Sequence, residues 1–401
     1  MSKVYIVAAK RTAIGKFGGS LAKMGAPEIA SKVLKNILDE TKIDQSKLDE
    51  VIVGNILSAG QGQGVARQAS IKASIPEEVP AYSLNMVCGS GMKAISNAYT
   101  AIKAGESKLI LAGGTENMSN APYLMPGQVR SGHKMGNITS MDHMILDGLW
   151  DAFNDYHMGI TAENIAEKYS LTREEQDVFA ADSQAKAAAA QDAGKFKNEI
   201  VPVEIKMRKE TITFDADEHL NRGSNAEKLA KLRPAFKKEG TVTAGNASGI
   251  NDGASFVLVA SEEMVKELGL TPMVEIVSVG QGGVDPSIMG MGPVPAIKNA
   301  LCKASMKLTD IEVLELNEAF AAQSLGVMRQ LSEDHGVDSK FFEEKCNVNG
   351  GAIALGHPIG ESGNRIVVTL IHEMKRANNT FGLASLCIGG GMGTAIILRN
   401  V

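Results

Sequence analysis

Cys88 stands between a predicted buried strand and a predicted helix, in the segment Asn85-Met86-Val87-Cys88-Gly89-Ser90-Gly91. The first N–H groups of a helix have no partner within the helix, and its dipole is positive there, so a thiolate is favoured. The thiolate is the nucleophilic form of cysteine and could attack an acyl carbon. Gly89 and Gly91 would allow a sharp turn and the close approach of a substrate. The alternative is a buried structural cysteine.

Three further segments combine a reactive side chain with a strand end or a rigid turn. His357 lies in Gly356-His357-Pro358, where the neighbours predict a fixed ring that could serve as a general base. Cys387 ends an apolar strand, and the glycines after it could stabilise an oxyanion through their N–H groups. Asn317 follows another strand, where a helix cap is the common alternative. We expect surface or hydrogen-bonding roles for the histidines His133, His143, His219, His335 and His372.

The elements around these residues alternate between strand and helix patterns, which indicates a parallel sheet with crossover connections. Strands are predicted at residues 4–8, 51–56, 82–87, 108–112, 254–260, 274–279, 311–316 and 383–387. Helices are predicted at residues 26–40, 65–73, 90–104, 162–169, 173–190 and 319–331. The helix at 173–190 begins with Thr172 and Glu175, which form a capping-box pattern. Glycine-rich turns at residues 245–249 and 389–393 both lead into strands, which suggests an internal duplication.

The composition narrows the class of protein. The chain has 401 residues, 44% hydrophobic and 22% charged, with a formal charge of -5. This length predicts more than one domain, and the charge gives no support to nucleic-acid binding. Four cysteines lie far apart without a CxxC pair, which disfavours a disulfide framework or a zinc site. Without a signal peptide or an apolar run of about 20 residues, a cytoplasmic protein is expected.

The four segments together resemble the active-site motifs of the thiolases. The motifs are Cys88-Gly89-Ser90-Gly91, Asn317-Glu318-Ala319-Phe320, Gly356-His357-Pro358 and Cys387-Ile388-Gly389, and the resemblance covers essentially the whole chain. It implies an α/β protein with a five-layered fold, built from two similar βαβαβαββ halves with an inserted loop domain. The expected N-terminal half comprises residues 1–117 plus 249–270, the CoA-binding loop domain 118–248, and the C-terminal half 271–401.

The resemblance also implies a reaction, the reversible condensation of two acetyl-CoA to acetoacetyl-CoA and CoA through an acetyl-cysteine. Cys88 would be the nucleophile, His357 would activate it, and Cys387 would act as acid and base. Asn317 would hold a water that forms one oxyanion hole with His357, and the N–H of Gly389 would contribute to the other. The segment beginning at His157 resembles the biosynthetic type within the family. Substrate or CoA contacts are expected from Ser248, His157, Met158, Leu149, Arg222, Ala247 and Phe320.

The partners expected from the resemblance are acetyl-CoA, acetoacetyl-CoA and CoA, with no cofactor, no metal, no nucleic acid and no membrane. A homotetramer, as a dimer of dimers, is expected on the same ground. Two features depart from the usual family pattern. Glu361 and Asn364 stand where small residues are usual, and the segment from residue 333 to 346 is longer and more charged.

Four alternatives stay open at this point. A degradative 3-ketoacyl-CoA thiolase of broader chain length would share all four motifs. A ketoacyl synthase would lack the second cysteine, so Cys387 argues against it. A dinucleotide-binding enzyme is suggested by the glycines at 60, 62 and 64, but Val65 breaks the GxGxxG spacing. An acyl-CoA-binding protein without activity is disfavoured because all four chemical positions are present.

Overall fold

One continuous path of paired strands runs through both halves of the chain in the computed structural model, which describes residues 3–206 and 208–401. The N-terminal half follows a βαβαβαβ order and is completed by a strand that comes after the inserted segment. Its elements are β1 (Val4–Thr12), β2 (Gly15–Lys16), α1 (Ala26–Thr41), β3 (Glu50–Gly54), α2 (Val65–Lys72), β4 (Ala81–Leu84), α3 (Ser90–Ala104) and β5 (Leu109–Asn117).

The inserted segment contains two long helices and several short strands. Its elements are β6 (Tyr123–Leu124), β7 (Met141–Asp142), β8 (Trp150–Asp151), β9 (Tyr156–His157), α4 (Met158–Lys168), α5 (Arg173–Asp192), β10 (Ile200–Val201), β11 (Val203–Lys206), β12 (Thr211–Phe214) and α6 (Ala226–Leu229). The chain then returns to the sheet with β13 (Asn251–Ser261) and α7 (Glu262–Glu267). The predicted capping box is present, because Thr172 and Glu175 bond reciprocally at the start of α5.

The C-terminal half repeats the arrangement. Its elements are β14 (Val274–Gly283), α8 (Pro293–Ala304), β15 (Val313–Leu316), α9 (Ala321–His335), α10 (Ser339–Lys345), α11 (Ala352–Leu355), α12 (Ser362–Ala377), β16 (Phe381–Ile388) and β17 (Met392–Asn400). Short stretches of 3-10 helix occur at Gln45–Lys47, Gly127–Ser131, Pro286–Met291 and Leu308–Asp310, and a π-helical turn occurs at Ile145–Leu149.

The strand order is β15-β16-β17-β14-β1-β13-β5-β3-β4, and the halves meet where β1 pairs with β14 through Tyr5–Glu275 and Ile6–Val274. The sequence β3-β5-β13-β1 in one half matches β15-β16-β17-β14 in the other, with the same parallel and antiparallel pairings. The suggested duplication is therefore visible in the strand topology. The expected third strand of the C-terminal half is different, because it is reduced to one bridge between Leu314 and Cys346.

Three apolar cores separate the layers. Helices α1 and α2 cover the outer face of the N-terminal strands, and α8 and α9 cover the outer face of the C-terminal strands. Between the halves, α3 and α12 pack together in a third core that includes strands of both. This confirms the expected five-layered α/β fold. It also places the starts of α3 and α12, which follow Cys88 and His357, side by side.

The boundaries of the expected domains are not tested by these layers and stay a prediction. In residues 3–206 and 208–401, no helix is long and apolar enough to span a lipid bilayer.

Candidate active site

Cys88 lies on a strained turn between β4 and α3. Val87, just before it, has φ of 44°, which is rare for a β-branched residue and costs on the order of 1–3 kcal/mol. Ser90 holds the turn, because its hydroxyl donates to the carbonyl of Val87 at 2.7 Å and accepts the N–H of Met86 at 2.8 Å. The predicted strand-to-helix elbow is therefore present, with Cys88 at its turn.

Gly89 and Gly91 have a different purpose from the one expected. Gly89 has φ of −76° and Gly91 lies inside α3, so neither uses a conformation reserved for glycine. A Cβ atom on Gly89 would lie 2.4 Å from Cδ1 of Ile388, and one on Gly91 would lie 2.7 Å from the backbone nitrogen of Asn364. The glycines thus allow α3 to approach the strand end of Cys387 and the start of α12.

The environment of Cys88 corrects the expectation of a stabilised thiolate. Burial raises the pKa of the Cys88 thiol to about 11, although the N–H groups of Gly389 and of Cys88 itself bond to the sulfur and oppose the rise. Cys88 lines an apolar cavity, where the removal of water around the sulfur penalises the charged thiolate. The resting residue is therefore a thiol, and it needs a base to become a nucleophile.

His357 is suited to be that base. Burial, together with the nearby charge of Arg365, lowers the pKa of His357 to about 4, so the ring is neutral at physiological pH. Nδ1 lies 2.6 Å from Oγ of Ser362, and that hydroxyl donates to the carbonyl of Pro358 at 2.8 Å. Because the hydroxyl donates to Pro358, we assign the ring proton to Nδ1, which then donates to Oγ of Ser362. Nε2 is then left as the unprotonated nitrogen.

Cys387 is the last residue but one of β16 and is 1% exposed. Burial raises the pKa of its thiol, and proximity to Cys88 raises it further. Gly389 follows two residues later, and its N–H reaches the sulfur of Cys88. The two cysteines therefore come from different halves of the fold and meet with the same N–H group beside them.

Asn317 lies behind His357. It is 1% exposed, and its Nδ2 lies 3.5 Å from Nδ1 of His357, while its Oδ1 has no hydrogen-bond partner among the described residues. The segment after it is tied to the end of the insertion: Ala247 and Phe320 form a bridge, and the N–H of Ser248 donates to the carbonyl of Ala319 at 2.9 Å. The predicted CoA-contact segment and the predicted oxyanion segment are thus one unit.

A cavity of about 520 Å³ brings most of these residues together. It is lined by Cys88, His357, Cys387 and Gly389, and also by the predicted substrate contacts Ser248, His157, Met158, Leu149, Ala247 and Phe320. His157 caps α4, because its Nδ1 accepts the N–H of Gly159 at 3.1 Å, and its ring stacks on Phe236 at 4.6 Å. Burial lowers the pKa of His157, so this wall of the cavity is neutral.

Arg222 does not line the cavity. Its guanidinium pairs with the carboxylate of Asp192 at 2.8 Å on the surface, and its contact with CoA stays a prediction. His219, three residues earlier, does line it, although the sequence indicated only a surface or hydrogen-bonding role. The cavity is therefore lined by His219 of this segment, and not by Arg222. Lys16 and Phe17 also line the cavity and carried no signal in the sequence.

Glu361 and Asn364, which depart from the family pattern, are both fully buried. Burial raises the pKa of Glu361 to about 8 against the charges of Arg11 and Arg365. Its carboxylate occupies the space beside Gly253, 2.5 Å from where a Cβ atom would be. These residues belong to the packing between the halves and do not line the catalytic cavity.

Neither a second cleft nor a metal site offers an alternative catalytic centre among the described residues. A larger cleft of about 810 Å³, lined by α5, α9 and α10, contains none of the four predicted catalytic side chains. In residues 3–206 and 208–401, no group of three His, Cys, Asp or Glu residues is placed to hold a metal ion.

Comparison with known proteins gives matches over the whole chain. The family model of the thiolase N-terminal domain matches residues 4–263, and that of the thiolase C-terminal domain matches residues 270–400. The acetyl-CoA acetyltransferase of Pseudomonas aeruginosa is 56% identical over 401 residues, and that of Cupriavidus necator is 55% identical, with both chains fully covered in each case. A probable acetyl-CoA acyltransferase of Staphylococcus aureus is 53% identical over the same length.

Solved structures agree with the sequence matches. The crystal structure of the Bacillus anthracis acetyl-CoA acetyltransferase superposes with a TM-score of 0.95 at 43% identity, over 100% of this chain and 99% of that one. Human mitochondrial 3-ketoacyl-CoA thiolase in complex with CoA superposes with a TM-score of 0.93 at 44% identity, over 100% and 98% of the two chains.

Proposed function

This chain belongs to the thiolase family, and we propose that Cys88, His357 and Cys387 carry its reaction. The chain is an acyltransferase, and the reaction is the reversible condensation of two acetyl-CoA to acetoacetyl-CoA and CoA. The observation that supports the residue assignment best is the shared cavity. It joins a thiol with a neutral imidazole and with a second thiol, each from a different segment of the chain.

The first half-reaction transfers an acetyl group to Cys88. Nε2 of His357 takes the proton of the Cys88 thiol, and the sulfur attacks the carbonyl carbon of acetyl-CoA. The bond from that carbon to the CoA sulfur breaks, and Cys387 donates its proton to the leaving CoA thiolate. The raised pKa of Cys387 keeps its thiol protonated in the resting enzyme, so the proton is present when the CoA thiolate leaves.

The second half-reaction forms the carbon–carbon bond. The thiolate of Cys387 removes a proton from the methyl group of a second acetyl-CoA, and the resulting carbanion attacks the acetyl carbonyl on Cys88. The tetrahedral intermediate releases the Cys88 sulfur, which recovers its proton from His357. A thiolate with a raised pKa is a strong base, so the same burial that protects the resting Cys387 supports carbon deprotonation.

Two oxyanions form during the cycle. The backbone N–H groups of Gly389 and Cys88 act to lower the pKa of the Cys88 thiol, and we propose that they bond to the carbonyl oxygen of an acetyl group on that sulfur. For the thioester of the incoming CoA, we propose His357 with a water held by Asn317. The buried Oδ1 of Asn317, which has no partner among the described residues, supports that assignment, since buried amide oxygens are almost always hydrogen-bonded.

Initial rates test this proposal. Formation of acetoacetyl-CoA from acetyl-CoA alone should require no added metal or nucleotide, and thiolysis of acetoacetyl-CoA by CoA should give parallel lines in double-reciprocal plots. Parallel lines are the kinetic signature of a covalent intermediate. Intersecting lines would mean that both substrates bind before any chemistry, which would contradict the acetyl-cysteine.

A degradative 3-ketoacyl-CoA thiolase is the second candidate, favoured by the similarity to the human mitochondrial enzyme. Thiolysis rates with acetoacetyl-CoA and with longer 3-ketoacyl-CoA substrates distinguish the two. We propose a preference for the short substrate, because His157 and Met158 line the same cavity as Cys88 and Gly389, and Met158 packs beside Gly389. Equal rates would support the degradative candidate.

CoA thioesters are the substrates, in agreement with the family and with a structural relative that binds CoA. We propose that Ser248 and His219 contact the pantetheine part of CoA, since both line the cavity that holds Cys88, His357 and Cys387. Location in the cytoplasm, assembly into a homotetramer and independence from cofactors stay predictions from the resemblance.

A further inference from the structure

The loop that carries His357 is held at both ends by side chains of the N-terminal strands. At its start, the backbone N–H of His357 donates to Oδ1 of Asn251 at 2.9 Å. At its end, the backbone N–H of Gly360 donates to Oε2 of Glu116 at 3.1 Å. Asn251 begins β13 and Glu116 lies near the end of β5. Both acceptors thus belong to strands of the half that carries Cys88.

Glu116 is fully buried and accepts from three other groups. Oε1 accepts from Nδ2 of Asn55 at 2.9 Å and from the N–H of Leu57 at 3.1 Å, and Oε2 also accepts from the N–H of Ile56 at 3.1 Å. These donors follow β3, the neighbour of β5 in the sheet. Burial raises the pKa of Glu116 to about 8, although the backbone N–H donors oppose the rise. The side chain joins the strand ends of the N-terminal half to the His357 loop through these hydrogen bonds.

The loop approaches β5 so closely that glycine is required on both sides. A Cβ atom on Gly114 would lie 2.0 Å from the carbonyl oxygen of Gly360. A Cβ atom on Gly360 would lie 2.6 Å from Oε2 of Glu116. The two glycines permit this close approach, and displacement of the loop away from the strand breaks the bond to Glu116.

The side chain of Asn251 makes a second hydrogen bond, within the N-terminal half. Its Nδ2 donates to the carbonyl of Gly15 at 3.0 Å, so the side chain is fixed between β2 and the His357 loop. Gly356 has φ of 111°, and a Cβ atom there would lie 2.6 Å from Cγ of Asn251. The loop is therefore shaped around this amide.

We propose that Glu116 and Asn251 are positioning residues that set the distance between Nε2 of His357 and the sulfur of Cys88 across the two halves. This rests on the proposed function, in which that pair transfers the thiol proton. His357 reaches the cavity on a loop of the C-terminal half, whereas Cys88 belongs to the N-terminal half. Without the bonds from the His357 loop to Glu116 and Asn251, only packing would define the distance between Nε2 of His357 and the sulfur of Cys88. A misplacement of about 1 Å can cost about 100-fold in rate.

The central experiment compares Glu116→Gln with wild type in single-turnover acetylation of Cys88 and in CoA binding. The glutamine keeps the volume of the side chain, but an NH₂ group replaces one carboxyl oxygen. That group then faces two of the four N–H donors that bond to Glu116. We expect the acetylation rate to fall about 10- to 100-fold, with the Kd for CoA changed less than about 2-fold. Asn251→Ala should give the same pattern.

The matched control is Asp252→Asn. Asp252 is equally buried and follows Asn251 on β13, but its carboxylate accepts from Ser119, and no bond to the His357 loop is present among the described residues. Acetylation by this variant should stay within about 2-fold of wild type.

A double-mutant cycle separates positioning from a general loss of structure. If Glu116 acts through His357, then Glu116→Gln should change the residual acetylation rate less than 2-fold in a His357→Ala background. An equal loss in both backgrounds would overturn the proposal, and so would acetylation by Glu116→Gln at the wild-type rate. Should Glu116→Gln not fold, Asn251→Ala in the same cycle decides the question by the same criteria.

The outcome can be distinguished from a failure of the proposed function. If no acetyl group is found on Cys88 in the wild-type protein, the function itself fails. If Cys88 is acetylated but Glu116→Gln and Asn251→Ala leave the acetylation rate unchanged, only the positioning inference fails.

Discussion

Nδ1 of His357 lies 2.6 Å from Oγ of Ser362, and the hydroxyl of Ser362 donates to the carbonyl of Pro358 at 2.8 Å. This arrangement assigns the proton of the neutral ring to Nδ1 and leaves Nε2 as the acceptor. A serine one turn along the chain thus fixes both the orientation and the tautomer of the general base. The chemistry of Cys88 depends on that choice, because the other tautomer would present an N–H to the thiol.

Replacement of Ser362 by alanine should lower kcat about 10- to 100-fold, because the ring then loses its orienting acceptor. The KM for acetyl-CoA should change little, since Ser362 does not line the cavity. Steady-state kinetics check this. Ser70→Ala is the control, because Ser70 is also fully buried but its hydroxyl lies in α2 and has no partner among the described residues. An unchanged kcat for Ser362→Ala would show that the tautomer is fixed by something else.

Alkylation of Cys88 by iodoacetamide should rise about tenfold per pH unit from pH 7 to pH 10. The thiolate is the reactive form, and burial raises the pKa of Cys88 to about 11, so the thiolate fraction increases throughout this range. Rates for each cysteine are measured by peptide mass spectrometry, with the exposed Cys302 as an internal reference. A plateau of the Cys88 rate below pH 8 would show that the helix dipole outweighs burial.

Cys387→Ala should retain acetylation of Cys88 but lose formation of acetoacetyl-CoA by at least about 1000-fold, because no base remains for the methyl proton. The loss of the proton donor to CoA should also slow acetylation, by a smaller factor. Cys346→Ala is the control, since that buried thiol lies outside the catalytic cavity. Condensation by Cys387→Ala at the wild-type rate would remove its assigned role.

Met158→Ala should shift the substrate preference toward longer 3-ketoacyl-CoA. The methyl group of Met158 would lie 3.7 Å from a Cβ atom on Gly389, so its removal enlarges the cavity next to the reacting groups. The free energy of unfolding should fall by about 2–5 kcal/mol, as for other buried Met→Ala changes. Met264→Ala, in the core of the N-terminal half, should destabilise similarly with no change in preference. If both variants keep the wild-type ratio of kcat/KM values, Met158 does not limit chain length.

Much of the fold and of the site could be predicted from the sequence, because the signals were local. Helix α3 was predicted with its observed ends, since its apolar periodicity stops at Gly105. The reactive residues were recognisable because each stands directly at a strand end or a rigid turn. Helix ends and strand-end motifs depend on residues that are adjacent in the sequence, so they can be recognised without the folded structure.

The remaining features depend on distant parts of the chain. The raised pKa of Cys88 results from a cavity whose walls come from at least five separate segments, and no local pattern at the elbow reports that. Glu116 was missed because the predicted strand ended at residue 112, where the apolar run stops, whereas β5 continues to Asn117. His219 and Arg222 are three residues apart, and only the folded loop determines which of them faces the cavity.

The most direct measurement is the mass of the protein after brief incubation with acetyl-CoA, followed by identification of the modified peptide. One acetyl group should appear on Cys88, it should be released by added CoA, and the Cys88→Ala variant should carry none and form no acetoacetyl-CoA. An acetyl group on another residue, or turnover by Cys88→Ala at the wild-type rate, would contradict the assignment of Cys88 as the nucleophile.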